Sequence, residues 1–309
     1  MWQVLLAGFC GMIDCHTHAY APEMAADPRG FALLHREPHW AGLVAPVGKP
    51  SLQGWADPEQ RLRAMDAAGI EKSVLLGWYW EHASACNLQQ RFYEWMIRQW
   101  PDRFIAFTPL SFSDPLAMRE QLRFAADHGF RGVGELHPPA QGVSWADGLL
   151  FEALAFANAR RWPVNLHVTE PVGRPYEPRR ETPAREVQHW VESFPDLRLI
   201  LAHWGGLLCF HELNPYIRKT WTQVYYDTAA SPRLYRPELI RLAIAAVGAS
   251  KLLFGSDYPL KLYATGHPDR DLDRFARELM QGMDEAKDRE AVMGGNFRRL
   301  MEGLSPDRC

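Results

Sequence analysis

Residues 12–18 read MIDCHTH. An extended strand sends residues i, i+2 and i+4 to one face, so Asp14, His16 and His18 are expected to point together. If that face turns inward, the set needs compensation, because an unpaired buried charge is costly. Ionisable residues also close later apolar runs. Glu135 and His137 end GVGELH, His167 lies in PVNLHVT, His203 precedes WGG, and Asp257 follows Gly255-Ser256. Imidazole nitrogen with carboxylate oxygen suits a divalent cation, with zinc first and manganese, iron or nickel as alternatives. Such an ion with an open position lowers the pKa of bound water toward about 7.

The elements that must position these groups follow an alternating rhythm. Short β-rich runs occur at 12–18, 73–78, 104–110, 132–137, 163–169, 197–204, 223–229 and 251–258. Helical patterns lie between them. DPEQRLRAMDAAG and DPLAMREQLRFAADHG each begin with a capping Asp and Pro and end at Gly, and TPAREVQHWVESFPD offers Thr182 as its cap. Eight strand–helix repeats predict an α/β protein, a distorted (β/α)8 barrel rather than an open doubly wound sheet, since no GxGxxG follows the first strand. The ionisable residues then gather at the C-terminal strand ends, where barrel enzymes keep their catalytic groups. Residues 19–56 interrupt the rhythm as a long insertion carrying His35, Arg36, His39, Trp40 and Lys49, expected to form a lid or pocket wall.

The 309 residues, 47% hydrophobic and 23% charged, are ordinary for a globular chain. They are read as one barrel domain over 12–304, a 1–11 extension with Met12 as a possible start, and a 305–309 tail. A net charge of −3 without basic runs gives no footing to nucleic acid or anionic lipid. The apolar start lacks a positive flank and is too short to span a bilayer. Cys10, Cys15, Cys86, Cys209 and Cys309 are scattered and odd in number, which fits a reduced cytoplasmic protein. The twelve Trp are read mainly as core.

DCHTH, NLHVTE, LAHWGG and FGSDYP, with the closing GGNFRRLM, resemble the motif set of the amidohydrolase superfamily. More narrowly they are similar to the amidohydrolase-related group that includes aminocarboxymuconate semialdehyde decarboxylase. The resemblance runs from residue 12 to about 301. It implies that His16, His18, His167 and Asp257 bind a metal and that His203 lies near the metal-bound water or the substrate. The Lys that other members carry on strand four is not found; Glu135 stands there, as in the TatD-like deoxyribonucleases. One metal is therefore expected, with a second, bridged by Glu135, left open. Barrels of this group often dimerise.

Glu135 is either a ligand or acid–base group, or it pairs with an arginine such as Arg174. His137, before Pro-Pro, is expected at the rim. Asp14 is expected to anchor the first loop or to accept a hydrogen bond from a ligand imidazole. Arg174, Tyr176, Arg179 and Arg233 could meet a substrate carboxylate, and Trp78, Trp80, Trp204 and Tyr258 could frame a flat small-molecule substrate. The leading expectation is a metal-dependent hydrolase of an ester, lactone or amide. Asp257 would take the proton from water and return it to the leaving group, His203 would steady the oxyanion, and Glu135 would be the extra acid. The alternative is a metal-dependent non-oxidative decarboxylase of a small aromatic or unsaturated acid, against which Glu135 weighs. A catalytically inactive binding barrel is the third reading.

Overall fold

The computed structural model describes residues 11–302 apart from Arg174, Glu177 and Pro178. The expectations for Arg174, Cys10, Cys309, residues 1–10 and the 305–309 tail lie outside the described residues. Eight strands appear where the apolar runs predicted them: β1 Met12–Thr17, β2 Ile70–Leu75, β3 Phe104–Ala106, β4 Val133–Leu136, β5 Val164–Leu166, β6 Leu199–Leu201, β7 Val224–Asp227 and β8 Leu252–Leu253. They pair in parallel, as β1-β2-β3 and as β4 through β8.

Hydrogen bonds cross both remaining seams. Thr108 N–H donates to Gly132 O (2.9 Å) and Gly134 N–H to Thr108 O (3.0 Å) between β3 and β4. Between β8 and β1, Cys15 N–H donates to Phe254 O, Asp257 N–H to His16 O and His18 N–H to Tyr258 O, each at 2.8 Å. The strand order thus returns on itself as the expected barrel. Ile13, Cys15, Val74, Leu76, Phe107, Ile200 and Leu253 pack into one apolar cluster with Phe297 and Leu300 of the helix Asn296–Met301. That helix closes the end away from the strand C-termini.

Local chemistry sets the helix ends. Asp57 and Gln60 form a reciprocal capping box at helix Pro58–Ala68, and Gly69 ends it at φ 72°. Asp114 accepts from the N–H groups of Leu116 and Ala117 at helix Pro115–Asp127. Thr182 is not a cap: helix Ala184–Ser193 starts after Pro183, one residue later than expected. Its hydroxyl instead donates to His167 O and accepts from Thr169 N–H, both at 3.2 Å, which steadies the chain leaving β5.

The 19–56 insertion is built rather than loose. It contains helices Pro22–Ala26, Pro28–His35 and Pro38–Val44, each opened by the proline that suits a first helical turn. Tyr20, Met24, Phe31, Trp40 and Val44 pack with Trp78, Tyr79, Trp80 and Cys86 in a satellite core. Glu37 accepts from Glu81 N–H (2.8 Å) and His82 N–H (2.9 Å), while Glu81 accepts from His39 N–H (2.9 Å). These reciprocal bonds clamp the insertion to the segment after β2. Trp40, Trp80, Trp190, Trp204 and Trp221 are fully buried, in line with a core role for most tryptophans.

Candidate active site

The β1–β2 register slips between Asp14 and Thr17, which interrupts strict alternation and divides the first motif. Asp14 does not join the two histidines. Its carboxylate accepts from Ser256 N–H (2.9 Å), Ser256 Oγ–H (2.5 Å) and His16 N–H (3.3 Å), so it ties the end of β1 to the loop that carries Asp257.

His16 and His18 converge with residues from four other strand ends. His18 Nε2 lies 3.5 Å from both Glu135 Oε2 and Asp257 Oδ1, and His16 Nε2 lies 3.9 Å from the same two atoms. His167 Nδ1 is 2.8 Å from Glu135 Oε1, with His203 Nε2 3.3 Å away. Glu135 therefore belongs to the cluster, within 4 Å of all four histidines. Two glycines make this approach feasible. A Cβ on Gly134 would stand 2.6 Å from Asn165 O, and one on Gly206 would stand 3.1 Å from Glu170 N. Gly206 also sits in a left-handed turn running from His203 to Leu207, which explains the Gly-Gly after Trp204.

Anchoring bonds set the direction of each lone pair. His16 Nδ1–H donates to Asp227 Oδ2 (2.8 Å), His18 Nδ1–H to Leu76 O (3.1 Å) and His203 Nδ1–H to Ala229 O (3.1 Å). A neutral imidazole that donates through Nδ1 keeps an acceptor pair on Nε2, so three Nε2 atoms face the centre while His167 presents Nδ1. His16 Nε2 is buried without a hydrogen-bond partner. Such a collection of lone pairs fits a divalent cation; His16, Glu135 and His203, or His16, His18 and Asp257, are near enough to hold one.

Charge is unevenly shared in the protein's own field. Burial alone would lower the His16 imidazole, but Asp227, Glu135 and Asp257 outweigh it and lift it to about 10. Burial drives His18 down to about 3 and His203 to about 4. It also pushes the Asp257 carboxyl up to about 8, whereas the imidazoles of His167 and His16 overcome it at Glu135 and hold that carboxyl well below its usual range. A cation would compete with these protons for the same atoms.

Asp227, which the sequence reading passed over, organises the centre. Besides holding His16 it accepts from His203 N–H (2.9 Å), Ala229 N–H (3.1 Å) and Asn165 Nδ2–H (3.2 Å). Its place at the end of VYYD was the available signal. His137 is not at the rim but buried, its ring centroid 4.8 Å from that of His167, and its backbone N–H donates to Gln141 Oε1 (2.8 Å) in the turn that follows. Trp78 stands edge-on to His18 at 5.4 Å and stacks on Tyr79 at 4.4 Å.

Other predicted substrate residues are occupied in the fold. The Arg233 guanidinium donates to Lys261 O and Tyr263 O, and Arg179 donates to Glu170 O. Trp80 Nε1–H donates to Gln89, Trp204 Nε1–H to Ser231, and Tyr258 O–H to Asp269. Tyr176 is half-exposed in the loop after β5.

A closed (β/α)8 barrel with histidines and carboxylates gathered at its C-terminal strand ends has the layout of a barrel enzyme. The Amidohydrolase family model matches residues 13–301, and the chain belongs to that family.

Similar solved structures include 2,6-dihydroxybenzoate decarboxylase from Rhizobium, at 20% identity and TM-score 0.64, covering 94% of this chain and 98% of that one. Dihydroxybenzoic acid decarboxylase from Polaromonas sp., with bound manganese and the inhibitor 2-nitroresorcinol, is 19% identical with TM-score 0.65, covering 94% and 97%. 5-Carboxyvanillate decarboxylase from Novosphingobium aromaticivorans, complexed with manganese and 4-hydroxy-3-methoxy-5-nitrobenzoic acid, is 15% identical with TM-score 0.67, covering 96% of each chain. These likenesses show a shared fold. Among the described residues no helix is long and apolar enough to cross a membrane.

Proposed function

We propose that this enzyme is a metal-dependent, non-oxidative decarboxylase of a small aromatic or unsaturated carboxylic acid. The observation that carries the reading is a flat wall of stacked Trp78 and Tyr79 beside convergent imidazoles and carboxylates. The similar structures, decarboxylases of hydroxylated benzoates and two of them with manganese, favour it over the hydrolase that the sequence put first. His16, His18, His167 and Asp257 would hold the cation, with Glu135 as a further carboxylate, and manganese joins zinc as a leading identity. Bound there, the cation supplies positive charge that holds substrate oxygens and offsets negative charge developing on them.

The chain's own groups then do the following. The Trp78–Tyr79 wall holds the ring or conjugated system and excludes water. Asp257 delivers a proton to the carbon bearing the carboxylate. The C–C bond breaks, its electron pair returns to the conjugated system, CO2 leaves, and the proton remains as the new C–H. His203, tethered through Nδ1, offers Nε2 to orient the departing carboxylate. A second reading, hydrolysis of an ester, lactone or amide, is favoured by Glu135, a second carboxylate able to take a proton from water.

The test offers manganese-loaded protein a panel of hydroxybenzoates and unsaturated acids alongside esters, lactones and amides in oxygen-18 water. The expected result is CO2 release, no label in the organic product, and loss of turnover on chelation. Labelled hydrolysis products without CO2 would replace this reading with the second, and no turnover on either panel would leave a binding barrel.

A further inference from the structure

Access to the cluster is uneven. The side chains of His16, His18, Glu135 and His203 keep at most 8% of their surface, whereas His167 and Asp257 keep 17% and 15%. A substrate therefore approaches over His167 and Asp257. On the His167 side stands a polar group that needs a partner. The His137 ring lies 4.8 Å from His167 and 5.3 Å from Tyr79, and Tyr79 lies 5.2 Å from His167. His39, from helix Pro38–Val44, backs both rings at 6.1 and 5.5 Å.

His137 is 1% exposed, and neither ring nitrogen makes a hydrogen bond of ordinary geometry. Its polar surroundings are His167, His39 and Glu135, and a loose backbone hydrogen bond with Arg180 engages at most one of its two ring nitrogens, so at least one is left without a partner. A buried polar side chain left unsatisfied costs about 1–3 kcal/mol. A position serving only to pack would be better filled by an apolar ring.

We propose that His137 and Tyr79 form an oxygen-binding subsite of the substrate pocket, which receives a second carboxylate or hydroxyl of the substrate, remote from the one that reacts. This rests on reading the neighbouring cluster as the reaction centre. An imidazole N–H and a phenol O–H both donate to the incoming oxygen, with the His39 ring packed edge-on against both. The three residues come from the segments after β4 and β2 and from the insertion, so the clamped insertion becomes part of substrate selection. A pocket built to hydrogen-bond an oxygen discriminates strongly against a ligand that lacks it.

The test measures binding to the full-length, manganese-loaded protein by calorimetry for two pairs, benzoate against isophthalate and butyrate against glutarate. The second carboxylate should tighten binding by about tenfold or more in the wild type and by less than about threefold in His137→Phe and Tyr79→Phe, since one charged hydrogen bond is worth that much. Manganese content is measured in parallel; if His137→Phe loses the metal, Tyr79→Phe decides. A gain confined to the aliphatic pair keeps the subsite and removes the aromatic substrate reading. A gain that survives in the variants, or no gain with either pair in the wild type, overturns the proposal.

Discussion

Asp227 shows how much of the centre depends on one buried carboxylate. One oxygen fixes the His16 ring and the other holds the backbone at His203, so its loss frees two elements at once. Carboxylates that orient ligand imidazoles are worth about 10–100-fold in metal affinity. Asp227→Asn should weaken manganese binding by about that factor, read by titration of metal-free protein; affinity unchanged would mean that His16 is held by packing alone. Asp257 makes the opposite trade. Burial penalises its charge, so metal-free Asp257→Asn should unfold at the same or a higher temperature than metal-free wild type, while kcat of the manganese-loaded variant falls by about 10²–10⁴-fold, the usual worth of a proton-transfer group. A variant that keeps full turnover removes Asp257 from the chemistry.

At the scale of elements, the insertion is held by a carboxylate with an unusual titration. Burial pushes the Glu37 carboxyl up to about 8, although Glu81 and His82 N–H groups favour its charge. His82 Nδ1 lies 3.9 Å away, and the Glu81 carboxylate adds repulsion. With its folded pKa above the unfolded value of 4.5, Glu37 binds more proton in the native state. Its stabilising contribution is complete below the unfolded pKa and is lost as pH rises through about 8. Wild-type protein should therefore lose urea stability between pH 5 and pH 8.5 relative to Glu37→Gln, in which the titration is absent. Parallel pH profiles for the two proteins would show that the carboxyl is not perturbed.

For the whole molecule, the barrel has a chemical end and a structural end. The last helix stoppers the structural end, where buried Asn296 Nδ2–H donates to Ala249 O and Leu252 O, both at 2.7 Å. Asn296→Ala leaves two buried carbonyls without a donor and should lower unfolding free energy by about 2–4 kcal/mol. Because the cluster sits at the other end, metal affinity of the folded fraction should not change. A loss under about 1 kcal/mol in urea unfolding would show that water replaces the side chain.

The sequence by itself pointed to the eight-strand count, the helix caps at Asp57 and Asp114, and the gathering of His16, His18, His167, His203 and Asp257 at strand ends, while leaving Glu135 open between this cluster and an arginine. These are properties of local period and of residues at strand ends, which any closed parallel barrel brings together. Only the tertiary structure decided that Asp14 turns to Ser256, that Asp227 aligns His16, that His137 lies beside His167, and that Thr182 serves β5 rather than its helix. Each of these depends on a register slip or on a partner far away in the chain. A one-residue slip redirects a side chain without altering any pattern that spacing can reveal.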